Sequence, residues 1–215
     1  MIQAQDWHDA RKPYPLSWKE QRRLLKALPD HLSQMALFTV NTGLRNREVC
    51  GLRWHDECEV PEIASSVFII TAERHKNGEE RLVVLNRIAR SIIDANRELH
   101  SDYVFTYTRS EKCERKPLSD LTSPAWNRTT KSIGLPVRPH DLRHTFGRRL
   151  RAAGVSLETR KALLGHKNGD VTTHYSVPEI LELIDAVDLI SAEDQSTNQK
   201  QAMDLACFDM NCQVI

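Results

Sequence analysis

No stretch of this 215-residue chain approaches the roughly 18 consecutive apolar residues that a membrane-spanning helix needs. Charge of one sign is also missing: 30 Lys and Arg stand against 29 Asp and Glu, a formal net charge of +1. That balance excludes a uniformly basic protein, and on charge alone the chain does not advertise a nucleic-acid or membrane partner. Cysteine is sparse and odd in number, at Cys50, Cys58, Cys113, Cys207 and Cys212, with no C-x-x-C spacing. A disulfide framework and a four-cysteine zinc site are thereby excluded as organising devices, and Cys50 reads as core packing on a helix. Residues Met1 to Lys12 are polar, with both signs of charge, and lack the apolar middle of a secretory signal, so a cytoplasmic location is the default expectation. No internal repeat is visible.

What is present is a helix-rich pattern with clear punctuation. The length suits one domain better than two. Ser17 and Glu20 have the spacing of a capping box, and Leu24, Leu25 and Leu28 follow at helical intervals, which predicts a helix from Ser17 to Leu28. Asp30 is the expected cap of a second helix that Gly43 ends, and a third begins at Arg45. Val67 to Thr71 and Arg81 to Leu85 are β-branched or apolar runs on either side of Asn77-Gly78, the pattern of a hairpin with Lys76 beside its tip. Further helices are expected over 87–99, around Trp126, over 139–153, over 156–164 with Gly165 as its stop, and from Pro178 onward. The fold class is therefore mainly α with a small antiparallel β-sheet (α+β). The expected organisation is a linker or remnant over 1–16, a domain over 17–190 and a polar, disordered tail over 191–215.

Two segments combine positive charge with histidine near helix ends. In His140-Asp141-Leu142-Arg143-His144, residues 140, 143 and 144 share one helical face. The second is Leu164-Gly165-His166, nine residues ahead of Tyr175. Each element has an ordinary reading when taken alone. The His140/His144 spacing suggests a zinc helix, but that motif needs Glu where Asp141 stands. A lone tyrosine is more often half-buried core than catalyst, and a lone hairpin lysine is usually just solvated.

Taken together, the segments carry a family resemblance. Thr42-Gly43-Leu44-Arg45-Asn46-Arg47-Glu48-Val49-Cys50-Gly51-Leu52-Arg53-Trp54 resembles the first arginine box of the tyrosine recombinases, the phage integrase family. His140 to Phe146 resembles the second box, and Leu163-Leu164-Gly165-His166 with Tyr175 resembles the third. The hairpin with Lys76 lies between the first two boxes, where the family keeps a catalytic lysine. The resemblance covers roughly residues 16–189. It implies a catalytic domain that cleaves and rejoins DNA through a covalent 3'-phosphotyrosyl link, with no cofactor and no metal. It assigns Arg45 and Arg143 to the scissile phosphate, Lys76 to the hairpin lysine position, His140 and His166 to the two histidine positions and Tyr175 to the nucleophile. Glu48 becomes the acidic partner that orients an arginine.

The implied partner is double-stranded DNA, with a homotetramer on DNA for the full-length protein and a monomer as the alternative for an isolated domain. Family members carry an N-terminal helical clamp that the residues before Ser17 do not accommodate, so the expectation is an excised or shortened catalytic domain that holds DNA weakly. A type IB topoisomerase and a noncatalytic DNA-binding remnant of a mobile element are the other readings. The near-neutral charge hides a polarity that fits a local DNA face. Residues 128–167 hold ten Lys and Arg against two Asp and Glu, while 168–215 hold one against nine.

Overall fold

In the computed structural model, residues 11–74, 78, 80–110, 113–166 and 176–191 are described. Helix α1 (Trp18–Ala27) starts as its sequence predicts. Ser17 Oγ accepts the Glu20 N–H at 3.3 Å, and Glu20 Oε2 accepts the Ser17 N–H at 2.9 Å. Helix α2 (Asp30–Thr42) departs from expectation at its start, because Pro29 occupies the N-cap position and no side chain caps the helix. Proline has no N–H to satisfy, and Asp30 falls inside the first turn, where its negative charge complements the helix dipole. Gly43 ends α2 in the left-handed region, at φ 64°, and α3 (Asn46–Cys50) follows at once with Cys50 buried.

Strands β1 (Glu57–Val60), β2 (Ser65–Ile70) and β3 (Arg81–Val83) form an antiparallel sheet in that order. The β2–β3 pairing is the expected hairpin, and β1 is an addition that the sequence did not disclose. The register sets Phe68 opposite Val83 and Ile70 opposite Arg81. A two-residue turn at Asn77-Gly78 would instead have set Ile70 opposite Leu85, so the connection over 71–80 is a longer loop. Lys76 and Asn77 lie outside the described residues. Arg74 bonds the Gly51 carbonyl at 3.2 Å and Asp56 Oδ2 at 3.0 Å, which ties the end of the chain leaving β2 to the end of α3.

Helix α4 (Arg87–Asn96) is capped by Asn86, whose side chain accepts the Ala89 N–H at 2.9 Å. It ends before Leu99, which is 39% exposed rather than part of the helical face. A short ribbon, β4 (Thr106–Tyr107) with β5 (Lys116–Pro117), precedes α5 (Pro124–Ser132), α6 (Pro139–Ala152), α7 (Leu157–Leu164) and α8 (Val177–Asp188). Of the tail expected over 191–215, Ser191 is buried and donates its N–H to the Asp188 carbonyl at 3.0 Å, so it belongs to the end of α8, and 192–215 lie outside the described residues.

The three-stranded sheet separates two apolar clusters. Phe68, Ile70, Val83 and Leu85 face the first, with α1, α2, α4 and α5; Val67, Leu82 and Val84 face the second, with α7 and α8. This is the period-two alternation of a strand pair buried on both sides. Helix α6 joins the clusters, giving Leu142 to the first and Phe146 and Leu150 to the second. Helix α8 packs Ile180, Leu183, Ala186 and Val187 into its own domain's second cluster and leaves Leu181 and Leu189 exposed. Ahead of α1, the chain lies across the start of α6: Tyr14 N–H donates to Asp141 Oδ1 and Leu16 N–H to Thr145 Oγ1, each at 2.9 Å.

Candidate functional site: an arginine cluster at two helix ends

The corner between α2 and α3 is built for close approach. A Cβ on Gly43 would lie 2.4 Å from Phe146 Cδ1 on α6, so glycine is required there by space as well as by its φ of 64°. Two residues on, Arg45 takes the N-cap position of α3, and its N–H is accepted by Glu48 Oε2 at 2.7 Å. The same carboxylate takes the Arg45 guanidinium, with Nη1 to Oε1 at 2.7 Å. Its Oε2 also pairs with Arg81 Nη1. Glu48 and Arg81 are essentially removed from solvent, at 2% and 1% side-chain exposure, whereas Arg45 keeps 19%.

Helix α6 presents the second arginine. Pro139 stands in its first turn, and Asp141 Oδ2 accepts the Arg138 N–H at 2.9 Å, which fixes the helix start one turn ahead of Arg143. Arg143 is buried, and its Nη1 reaches the Gly43 carbonyl at 2.6 Å.

The carbonyls at the end of α7 complete the arrangement. A helix end leaves carbonyls without intrahelical partners, at the negative pole of its dipole. Here three successive ones receive three different arginines: Leu163 O takes Arg81 at 2.9 Å, Leu164 O takes Arg143, and Gly165 O takes Arg45 at 3.4 Å. Gly165, at φ 57°, turns the chain, and a Cβ on it would lie 2.7 Å from Cδ of Arg81. The end of α2 mirrors this, with Thr42 O and Gly43 O accepting Arg81 Nη2 at 3.3 and 3.2 Å. Three guanidiniums and one carboxylate therefore meet where α2, α6 and α7 converge, and the local charge is positive.

That charge governs the titrating groups. Burial acts to raise the Glu48 pKa, but Arg81 and then the Arg45 N–H and guanidinium outweigh it, so the carboxyl is held below its usual range and stays ionised. Desolvation, followed by repulsion from Arg81 and Arg45, pushes Arg143 down to about 9, which leaves it cationic at neutral pH. His140 is lowered by burial and by His144, Arg143 and Arg45, against the opposing charge of Asp141. His166 is lowered by burial and by Arg143, Arg45, Arg81 and Lys161. Both imidazoles are consequently neutral at pH 7, each with one N–H to donate and one nitrogen free to accept a proton. His140 packs edge-on against His144 with ring centroids 4.6 Å apart.

The structure thus gathers Arg45, Glu48, His140, Arg143 and His166 in one neighbourhood. Lys76 and Tyr175 lie outside the described residues. Sequence reasoning passed over Arg81, whose signal was an arginine heading the apolar run Leu82-Val83-Val84-Leu85, a place where a charge must find buried partners. Among the described residues, no three His, Cys, Asp or Glu side chains gather into a metal-binding group, and no helix is long and apolar enough to cross a membrane.

A mainly helical domain with a small antiparallel sheet thus brings three separated sequence boxes together in one arginine cluster. Residues 16–179 match the model of the phage integrase family, and the chain belongs to that family. It is 29% identical over 172 residues to the tyrosine recombinase XerA of Thermococcus kodakarensis, covering 76% of this chain and 58% of that protein. The chain therefore spans somewhat more than half the length of this relative. In fold it resembles the integrase of mycobacterium phage Brujita, with a TM-score of 0.62 at 19% identity over 84% of this chain and 59% of that one. It also resembles lambda integrase in a tetramer bound to a Holliday junction, with a TM-score of 0.58 at 22% identity over 78% of this chain and 51% of that one.

Proposed function

We propose that this chain is the catalytic domain of a site-specific DNA recombinase, cutting and rejoining DNA strands through a 3'-phosphotyrosyl intermediate. The observation that carries this reading is the convergence of Arg45 and Arg143, from two separate boxes, on carbonyls of the third. A scissile phosphate gains negative charge on its nonbridging oxygens during attack. Two guanidiniums already oriented by protein acceptors stabilise that charge without reorganising. Supplying this charge from arginines leaves no step that requires a metal ion.

In the proposed step, the Tyr175 oxygen attacks phosphorus, its proton passes to His140, and the bond from phosphorus to the 5' oxygen breaks. Lys76 protonates the departing oxygen. A phenol has a reference pKa of about 10, so it needs a proton acceptor, and His140, held neutral by burial and by His144 and Arg143, has a ring nitrogen available for that part. His166, also neutral, donates to a nonbridging oxygen. The phosphotyrosyl bond keeps the energy of the broken linkage, so attack by a free 5' hydroxyl reverses the step without ATP. Double-stranded DNA is the partner, and a tetrameric assembly like that of lambda integrase on a Holliday junction is the proposed arrangement.

The test is a library of nicked suicide duplexes of mixed sequence incubated with the 215-residue chain. Wild type should become covalently linked to DNA and Tyr175→Phe should not. An adduct that persists in Tyr175→Phe removes the nucleophile, and DNA binding with no adduct in wild type makes the chain a noncatalytic binder. Relaxation of supercoiled plasmid with no recombinant product would instead mark a topoisomerase.

A further inference from the structure

The proposed reaction uses two arginines, yet the structure holds three in one cluster, and the third never reaches solvent. Arg81 is 1% exposed in its side chain and sits at the first position of β3. It bonds Glu48 of the first box, the Thr42 and Gly43 carbonyls that end α2, and the Leu163 carbonyl of the third box. Its aliphatic stem fills the space that a Cβ on Gly165 would need. Each partner is also a partner or chain neighbour of a phosphate-directed arginine: Glu48 and Gly165 O hold Arg45, while Gly43 O and Leu164 O hold Arg143.

Arg81 also marks where the loop over 71–80 re-enters the sheet. Arg74 pins the outgoing end of that loop to Gly51 and Asp56, and Arg81 pins the returning end to Glu48. Both anchors lead to α3 or its flanks.

Building on the recombinase reading, we infer that Arg81 is a positioning residue that sets the separation and orientation of Arg45 and Arg143 by joining Glu48 to the ends of α2 and α7. It does not touch the substrate. A planar guanidinium with several donors can serve a carboxylate and three carbonyls at once, whereas a lysine presents a single ammonium on a flexible stem. Displacement of an oriented group by about 1 Å is enough to slow a reaction on the order of 100-fold.

The experiment compares wild type with Arg81→Lys, Arg81→Met, Glu48→Gln and the double variant Arg81→Met/Glu48→Gln in the full chain. Arg81→Met alone removes the buried ion-pair partner of Glu48 Oε2, leaves the carboxylate to Arg45, and should lower the thermal midpoint. The double variant removes both charges and should regain much of that midpoint. If Arg81 positions the arginines, the refolded double variant forms adduct on the suicide duplexes at least about 100-fold more slowly than wild type and also more slowly than Glu48→Gln alone, with Arg81→Lys slowed to a lesser degree. An adduct rate in the folded double variant at the wild-type level, or at that of Glu48→Gln alone, would assign Arg81 to stability alone and overturn the inference.

A second readout needs no DNA. The guanidinium Nε–Hε NMR signals of Arg45 and Arg143, assigned through Arg45→Lys and Arg143→Lys, should both shift in Arg81→Lys. Signals that stay in place would also refute positioning. If wild type forms no adduct at all, the recombinase reading fails, and the NMR comparison still decides the role of Arg81.

Discussion

Arg45 and Arg143 carry the same charge toward the same place but are held in opposite ways. Arg45 is kept chiefly by a carboxylate: Glu48 takes both its backbone N–H and its guanidinium, a longer bond of 3.4 Å reaches the Gly165 carbonyl, and the side chain retains 19% exposure. Arg143 is buried and is kept by backbone, through the carbonyls of Gly43 and Leu164. The difference teaches which perturbations each can feel. An arginine held by an ion pair responds to loss or protonation of its partner. One held by carbonyls responds to shifts in the helices that own those carbonyls.

Removing Glu48 should break the comparison on the Arg45 side and produce the largest effect on stability. Glu48→Ala leaves Arg81 buried without its carboxylate and strips α3 of its first-turn acceptor. Breaking a buried pair from one side costs about 3–5 kcal/mol, to be measured by urea unfolding. In the folded fraction, the Arg45 guanidinium signal should move far more than that of Arg143.

The complementary break acts on Arg143. Gly43→Ala places a methyl against the Phe146 ring at a backbone φ of 64°. Left-handed strain and overpacking together should destabilise by about 2–3 kcal/mol. Adding Phe146→Leu should recover the overpacking part and leave the conformational part. Because Gly43 O is an acceptor of Arg143, its guanidinium signal should now move more than that of Arg45.

A smaller change tests the frame of α6. Asp141 holds the Arg138 N–H and also the Tyr14 N–H of the segment ahead of α1. Asp141→Asn weakens a charge-assisted cap by about 1 kcal/mol and should loosen the strap over 11–16, read as faster amide exchange at Tyr14. Arg45, anchored on α3, should be indifferent to it.

How much of this arrangement the sequence disclosed follows from the range of each interaction. Ser17 with Glu20, Gly43 and Gly165 as helix stops, and Pro139 at a helix start are local devices, read from a few adjacent residues and matched by the observed caps. The family resemblance located Arg45, His140, Arg143 and His166, because their boxes are contiguous in the chain. Arg81 was not legible, since its partners at 42, 43, 48 and 163 are distant in sequence and its own neighbours look like an ordinary strand. Strand β1 was hidden for a related reason: Glu57-Cys58-Glu59-Val60 has the alternation of an edge strand but only one buried residue. The Asn77-Gly78 signal found the hairpin but not its register, which pairing within the sheet fixes at Phe68 and Val83.

The finest distinction between the two arginines is one of pH. The Glu48 carboxyl titrates below its unfolded value, so its stabilisation is fully present above about pH 4.5 and is lost as pH falls through the lower folded pKa. Arg143 has carbonyls as its hydrogen-bond acceptors, which do not titrate, so its hydrogen bonds carry no such dependence. Glu20, Glu57 and Asp120 are also held low, by Tyr14 and Ser17, by Arg97 and Ser66, and by Asn46 and Thr122, so acid unfolding of the whole chain does not isolate Glu48. The isolating quantity is the difference between wild type and Glu48→Gln. Below pH 4.5 their unfolding free energies should converge with a slope of at most about 1.4 kcal/mol per pH unit, the limit for one proton. Over the same range the Arg45 signal of wild type should approach that of the variant while the Arg143 signal changes less. Parallel stability curves would mean that Glu48 is already uncharged or unpaired in the folded protein, and the contrast between an arginine held by charge and one held by backbone would fall.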